Sequence, residues 1–395
     1  MKFALVGVGG AGGRIVDRLR RDEAETGRSF SKGSVLAFDT EREPFKQYDH
    51  IPLDRHVLVG DTNPEIRGEG VDGDVDLAAS VAREDRDELH REFDKLDLHE
   101  LDAVLVVAGL GGGTGGGVGA VVLESLDMLT DIPVYVLGVL PTEGESDRHV
   151  LNTARSLQPF VRLADSVMLF DNESWYDSSA EESLEEQYET LNGVLADRIL
   201  AVLALGELDS ADIAENTLDS SDLMRTLNTG GISTIGQASL ELDTGGVLSR
   251  LVSVFRNGED DEPDTTLAMR TQDLIKRAGT RKLTLPCEIS SADRALIVLS
   301  GPPEECSRKG FESARYWLEQ ETGAVEVFAG DEPRPNADVV SASILFSNVT
   351  DIPRVDALKQ RAVEIQRTES TLTEPQNRDA RADVRDESGR SSPPR

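Results

Sequence analysis

The residues best suited to chemistry form one string, Ala108-Gly109-Leu110-Gly111-Gly112-Gly113-Thr114-Gly115-Gly116-Gly117-Val118-Gly119. It lies between the apolar run 104–107 and a helical pattern carried by Val118, Val121, Val122 and Leu126. A strand feeding a glycine loop that opens a helix gathers free backbone N–H groups at a positive helix end, the arrangement an oligophosphate requires. No Gly-Lys-Ser/Thr follows, so phosphate charge would be met by amides and a metal ion instead of a lysine. An ordinary turn uses one or two glycines, so the string predicts an anion cradle and not a packing device.

Four smaller groups accompany it. Gly7, Gly9 and Gly12 fit G-x-G-x-x-G after a strand pattern at 3–8, and a second strand at 34–38 ends at Asp39. Alone, that pattern also describes a dinucleotide site with the acid reaching a ribose, so an NAD(P)-dependent oxidoreductase is an alternative that leaves 108–119 unexplained. Gly60-Asp61-Thr62-Asn63-Pro64-Glu65 reads as a loop at a strand end, either closing over phosphates or simply an exposed turn. Tyr188 and Asn192 are four apart and so neighbours on a helix. The pair can stack on a purine and bond its edge, or be a core tyrosine beside a solvent-facing amide. Asp219 and Asp222 form an Asp-x-x-Asp pair of a kind common on charged surfaces, where Asp219 or Ser220 could cap a helix.

The elements that must position these groups alternate. A charged helix is expected over 77–96, strands at 103–107, 133–139 and 166–170, a helix at 147–163, and a long helix opened by Tyr188. Near-continuous apolar strands alternating with helices predict an α/β fold with a doubly wound parallel sheet and ligands at the strands' carboxyl ends. A smaller α+β domain should follow. It would begin a second sheet at 230–236, with strands at 283–289, 294–299, 325–329 and 339–346 and helices at 244–256, 265–277 and 303–319. The expected division is a nucleotide-binding domain (1–187), a central helix (188–206), a loop carrying Asp219 and Asp222 (207–224), the α+β domain (225–366) and a tail (367–395) too polar to bury a core. Residues 257–264 read as an acidic surface loop.

Composition narrows the setting. The chain carries 74 acidic against 41 basic residues, a net charge of −33, with the acids dispersed. Such self-repulsion is tolerated where salt screens it, which points to a halophile's cytoplasm. Binding to nucleic acid through its phosphates is not expected at this charge. No apolar run is long enough for a transmembrane segment, and the apolar start at 3–8 is too short for a signal peptide. Cys287 and Cys306 define no disulfide framework or metal site.

The string at 108–119 resembles the GGGTGSG signature of the tubulin/FtsZ superfamily of GTPases, with Gly116 in place of Ser. Asp171-Asn172-Glu173 followed by Tyr188-x-x-x-Asn192 is similar to tubulin's guanine-binding segments, and matches run in order over 3–192. The resemblance implies a nucleotide site of Gly9, Gly10, Ala11 and Arg14 in the first loop, Asp39, Gly60 and Asn63, and Ala108, Gly109, Gly111, Gly112, Gly113, Thr114 and Gly115. It further implies Pro141, Glu143 and Arg148 near the ribose, guanine contacts from Asn172 and Asn192, and stacking by Tyr188. GTP/GDP and Mg²⁺ are the implied ligands, with no metal-ligating side chain assigned. Asp219 and Asp222 match the superfamily's water-directing acids, which face the next subunit; Asn216 stands three residues before Asp219 instead of two. The implied protein is a polymerisation-coupled GTPase that assembles head to tail. Within the superfamily the chain most resembles the archaeal CetZ branch, with a role in cell shape. FtsZ-type division and a nucleotide-binding scaffold without turnover are the alternatives. The membrane-docking peptide that commonly ends FtsZ tails is not found here.

Overall fold

The computed structural model describes residues 1–180, 182–203, 218–242 and 263–368. Strand β1 (Phe3–Val8) leads directly into helix α1 (Gly9–Thr26), and β2 (Val35–Asp39) and β3 (His56–Leu58) follow. Helices α2 (Val75–Glu84) and α3 (Arg86–Phe93) precede β4 (Ala103–Gly109), which feeds α4 (Gly113–Leu129). Then come β5 (Val134–Leu140), α5 (Asp147–Leu163), β6 (Ser166–Asp171), the short α6 (Asn172–Trp175) and α7 (Leu184–Leu203). After α8 (Ser220–Leu227) and β7 (Ile232–Glu241) the chain forms α9 (Pro263–Thr280), β8 (Arg294–Gly301), α10 (Arg308–Glu321), β9 (Glu326–Pro333), β10 (Val339–Val349) and α11 over 353–368.

All ten strands form one sheet in the order β3-β2-β1-β4-β5-β6-β7-β10-β8-β9. Strands β3 to β7 are parallel, and β10 runs antiparallel to both β7 and β8. The expectation of a second sheet at 230 is corrected: Ile232 and Ser233 of β7 pair with Val167 and Met168 of β6, so the C-terminal strands extend the first sheet.

Side chains alternate between two buried faces, as a sheet covered on both sides requires. Leu105 and Val107 of β4 share one core with Ile15 of α1, with Leu191, Leu195 and Ile199 of α7, and with Leu296 and Leu345 of β8 and β10. Val104, Val106 and Ala108 share the other with α4, α9 and α10. Helix α7 therefore touches both halves of the sheet through one apolar stripe.

Other expectations are corrected locally. The single helix at 77–96 breaks at Asp85, whose carboxylate accepts the Gly60 N–H at 2.6 Å. Helix α7 begins at Leu184, before Tyr188. The strand at 283–289 is a loop that buries Leu283 and Leu285 while Thr284 exchanges backbone bonds with Asp171 and Ile235. The helix at 303–319 starts only at Arg308, where Ser307 caps it by accepting the Gly310 N–H. The helix at 244–256, Asn216, most of the acidic loop and the chain from 369 onward lie outside the described residues.

Candidate nucleotide site

Two helices begin at adjacent strand ends, α1 after β1 and α4 after β4. Strand order reverses at β1, and ligands of open α/β sheets sit at such a point. Gly9 takes φ +72°, a left-handed turn from strand into helix. A Cβ on Gly12 would stand 2.1 Å from the Val107 carbonyl oxygen, and one on Gly115 would stand 2.2 Å from that of Gly109. Only glycine lets these backbones meet, and their meeting brings both helix N-termini to one cavity of about 410 Å³. Gly9, Gly10, Ala11, Gly109, Gly111, Gly112, Gly113, Thr114 and Gly115 line it. The Thr40 and Thr114 hydroxyls, 2.7 Å apart, tie β2's end to the second loop.

The remaining glycines of the string correct the reading of it as cradle alone. A Cβ at Gly117 would stand 2.4 Å from the Val75 carbonyl oxygen, and one at Gly116 2.1 Å from Ser156 Oγ. These two are packing devices that seat α4 between α2 and α5.

At the other end Arg14, Tyr188 and Asn192 line both this cavity and a neighbouring one between α1 and α7. The Tyr188 hydroxyl donates to Glu145 at 2.7 Å, and burial pushes the phenol well above its ordinary value. It stays a hydrogen-bond donor. Asn172 and Pro141 also line the cavity. Their loops are held from behind by Arg354 of α11, which bonds Asp171 Oδ1 and the Pro141 carbonyl oxygen, each at 3.0 Å.

Asp39 lines the cavity while only 3% exposed, and its Oδ2 has no hydrogen-bond partner. Burial pushes its carboxyl up to about 7, against a smaller opposing pull from the Glu41 N–H. Glu41 shares the lining.

Five residues expected at the site stand outside the lining. Gly60 and Asn63 bond Asp85 and Glu84 of the α2–α3 region. Ala108 is buried within β4. Glu143 pairs with Arg354, and Arg148 turns to Asp72. In their place stand Glu145 and His149. Their spacing of four, straddling the start of α5, was the signal available in the sequence.

Asp219 and Asp222 lie outside both cavities' linings. They form a capping box at α8: Asp219 accepts from Ser221 and Asp222, and Asp222 accepts the Asp219 N–H. Hydrogen bonds from Ser221 hold the exposed Asp219 carboxyl below its usual range. It therefore stays ionised. Among the described residues no helix is long and apolar enough to cross a membrane.

Residues 2–180 match the Tubulin/FtsZ family GTPase domain, and residues 181–364 match the C-terminal domain of tubulin-like CetZ. Tubulin-like protein CetZ3 of Haloferax volcanii is 44% identical over 370 residues, 93% of each chain. Two solved structures from the same organism superpose at a TM-score of 0.79, each covering 93% of this chain and 100% of its own. They are CetZ1 as a GDP-bound monomer, 37% identical, and CetZ2 as a GTPγS-bound protofilament, 33% identical. The first-loop reading as a dinucleotide site gives way to this match, which spans both glycine loops and the C-terminal half. The chain belongs to the CetZ family of tubulin-like proteins.

Proposed function

We propose that this protein binds GTP in the cavity at the strand ends and hydrolyses it when a second copy docks head to tail, bringing its own Asp219 and Asp222 to the phosphates. The observation that carries this reading is the convergence of two glycine-opened helix N-termini with Tyr188, Asn172 and Asn192 in one cavity, while the acid pair lies outside it. Amides of Gly113, Thr114 and Gly115 would take phosphate oxygens, Tyr188 would stack on guanine, and Asn172 and Asn192 would bond its edge. The acid pair at α8 would orient a water in line with the γ-phosphate, so catalysis is positioning and electrostatics. The relatives solved as a GDP-bound monomer and as a GTPγS-bound protofilament support the ligand and the assembly. Control of cell shape, in a salt-rich cytoplasm, is the cellular role we attach to such filaments.

Mg²⁺ fits the corner beside Thr40. Asp39, whose buried Oδ2 has no hydrogen-bond partner, and Glu41 line one cavity, and Mg²⁺ is commonly held by one or two carboxylates plus substrate phosphates. When bound, the ion would offset phosphate charge. Asp39 and Glu41 are the residues that would hold it.

Head-to-tail contacts of one chain generate open filaments, so turnover per chain should rise with protein concentration. The test is nucleotide retained on purification, followed by GTPase rate against concentration in molar KCl. Asp222→Ala should bind GTP as the wild type does, lose turnover and form longer-lived assemblies. Equal binding of ATP, or a rate per chain independent of concentration, counts against the reading. Loss of binding in Asp222→Ala would put that residue in its own chain's pocket.

A further inference from the structure

His149 stands against the glycine turn, and nothing assigned so far uses it. Its place is fixed from both sides. A Cβ at Gly111 would lie 3.2 Å from the His149 Cβ and Cδ2, so the imidazole flanks the turn whose amides open α4. On its own element, Nδ1 is 2.8 Å from Ser146 Oγ and Nε2 is 3.6 Å from a Glu145 oxygen. The other Glu145 oxygen accepts from the Tyr188 hydroxyl at 2.7 Å and the Thr142 N–H at 2.9 Å. One line of polar contacts therefore runs from the ring at the base end of the cavity to the imidazole at the phosphate end. The His149 side chain is 41% exposed and lines the cavity, so a ligand there can reach it.

The charge inventory makes this position matter. The acids that line the cavity are Asp39 and Glu41 from the end of β2 and Glu145 before α5. The basic side chains that line it among the described residues are Arg14 of α1, which reaches toward Gln47, and His149. Arg148 on the same helix turn points to Asp72, and Asp147 pairs with Arg361. Among the described residues no lysine lines this cavity, and the side chain that flanks the turn at Gly111 is an imidazole.

Resting on the nucleotide reading above, we propose that His149 contacts the phosphates of the bound triphosphate as an imidazolium, so that binding takes up a proton and affinity falls as pH rises past neutrality. The phosphates supply the negative charge that holds the proton, and Glu145 receives the second face of the charged ring. Protonation ends with release of the nucleotide.

The test is calorimetric titration of the full chain with GTPγS in molar KCl from pH 6 to pH 8.5, in two buffers of different ionisation enthalpy. The wild type should take up a proton near neutrality and lose about tenfold more affinity across the range than His149→Arg, whose charge does not titrate. His149→Gln should bind about tenfold more weakly than the wild type at pH 6 and match it at pH 8.5. Equal slopes and equal proton uptake in all three proteins would overturn the proposal and assign the effect to Asp39 or to the nucleotide's own phosphate. Wild-type protein that binds GTPγS at no pH would instead overturn the nucleotide reading.

Discussion

Asp39 carries a carboxyl pushed up to about 7 by burial, against an ordinary value of 3.8. Between those values the folded chain holds a proton that the unfolded chain has released, so stability falls as pH rises from about 4 to about 7. Above that window the nucleotide-free fold contains a buried charge with one oxygen unpartnered. Asp39→Asn should therefore stabilise the nucleotide- and metal-free protein at pH 8 by on the order of 2–4 kcal/mol and leave it unchanged near pH 4. Urea unfolding at the two pH values checks this, and an equal effect at both would mean the carboxylate's charge is not the source. The sequence shows Asp39 as an acid at a strand end; its burial with one oxygen unpaired, beside a Thr40 whose hydroxyl pairs with Thr114 74 positions away, does not show there. The acid and base expected after β5 stand outside the cavity lining for a related reason. Glu143 and Arg148 have the right types, yet each is taken by a distant partner, Arg354 and Asp72, leaving Glu145 and His149 to face the cavity.

Helices and strands of the first half were legible because the central strands are apolar runs, α1 and α4 open on glycine loops, and α2 follows the Asp74 cap. Helix α5 occupies Asp147–Leu163, as its periodicity predicts. The second half was less legible. Strand β7 looks like the start of a new sheet because nothing local reveals that Ile232 pairs with Val167. The glycine string is a case where element scale decides between two explanations that residue types cannot separate. Gly117→Ala puts a methyl 2.4 Å from the Val75 carbonyl oxygen, in the α2–α4 contact and away from the cavity. It should destabilise by about 1–3 kcal/mol with nucleotide affinity kept in the folded fraction. Gly112→Ala has room, the added methyl standing 3.8 Å from the Gly109 carbonyl oxygen, and should leave the unfolding midpoint nearly unchanged. Paired denaturation and binding curves distinguish the two. Arg354 gives the third case, an α11 side chain that binds the ends of β5 and β6 together through Pro141 and the 1%-exposed Asp171 carboxylate. Arg354→Ala strands that carboxylate and should cost about 2–4 kcal/mol, most of it recovered by adding Asp171→Asn. A double-mutant cycle on stability measures the coupling, and strictly additive losses would show the pair is not coupled.

At the scale of the whole molecule two facts pull against each other. One helix, α7, ties both halves of the sheet together through a continuous apolar core, which favours a compact chain. A net charge of −33 favours its expansion and opposes the approach of a second copy. Which effect wins depends on ionic strength: the Debye length is about 10 Å at 0.1 M and about 3 Å at 1 M. Repulsion within the chain acts over its own radius. Repulsion between chains acts across a contact where each copy brings the same sign, so assembly should be the more salt-sensitive of the two. Raising KCl from 0.1 M to 2 M should therefore increase the thermal midpoint and, by a larger factor, lower the protein concentration at which GTP-dependent light scattering begins. Arginine outnumbers lysine among the 41 basic residues, and arginine's planar fork keeps its pairs specific as long-range attraction is screened. Assembly that weakens as KCl rises would mean the contact between copies is built on attraction between opposite charges, and the dispersed acidity would need another explanation.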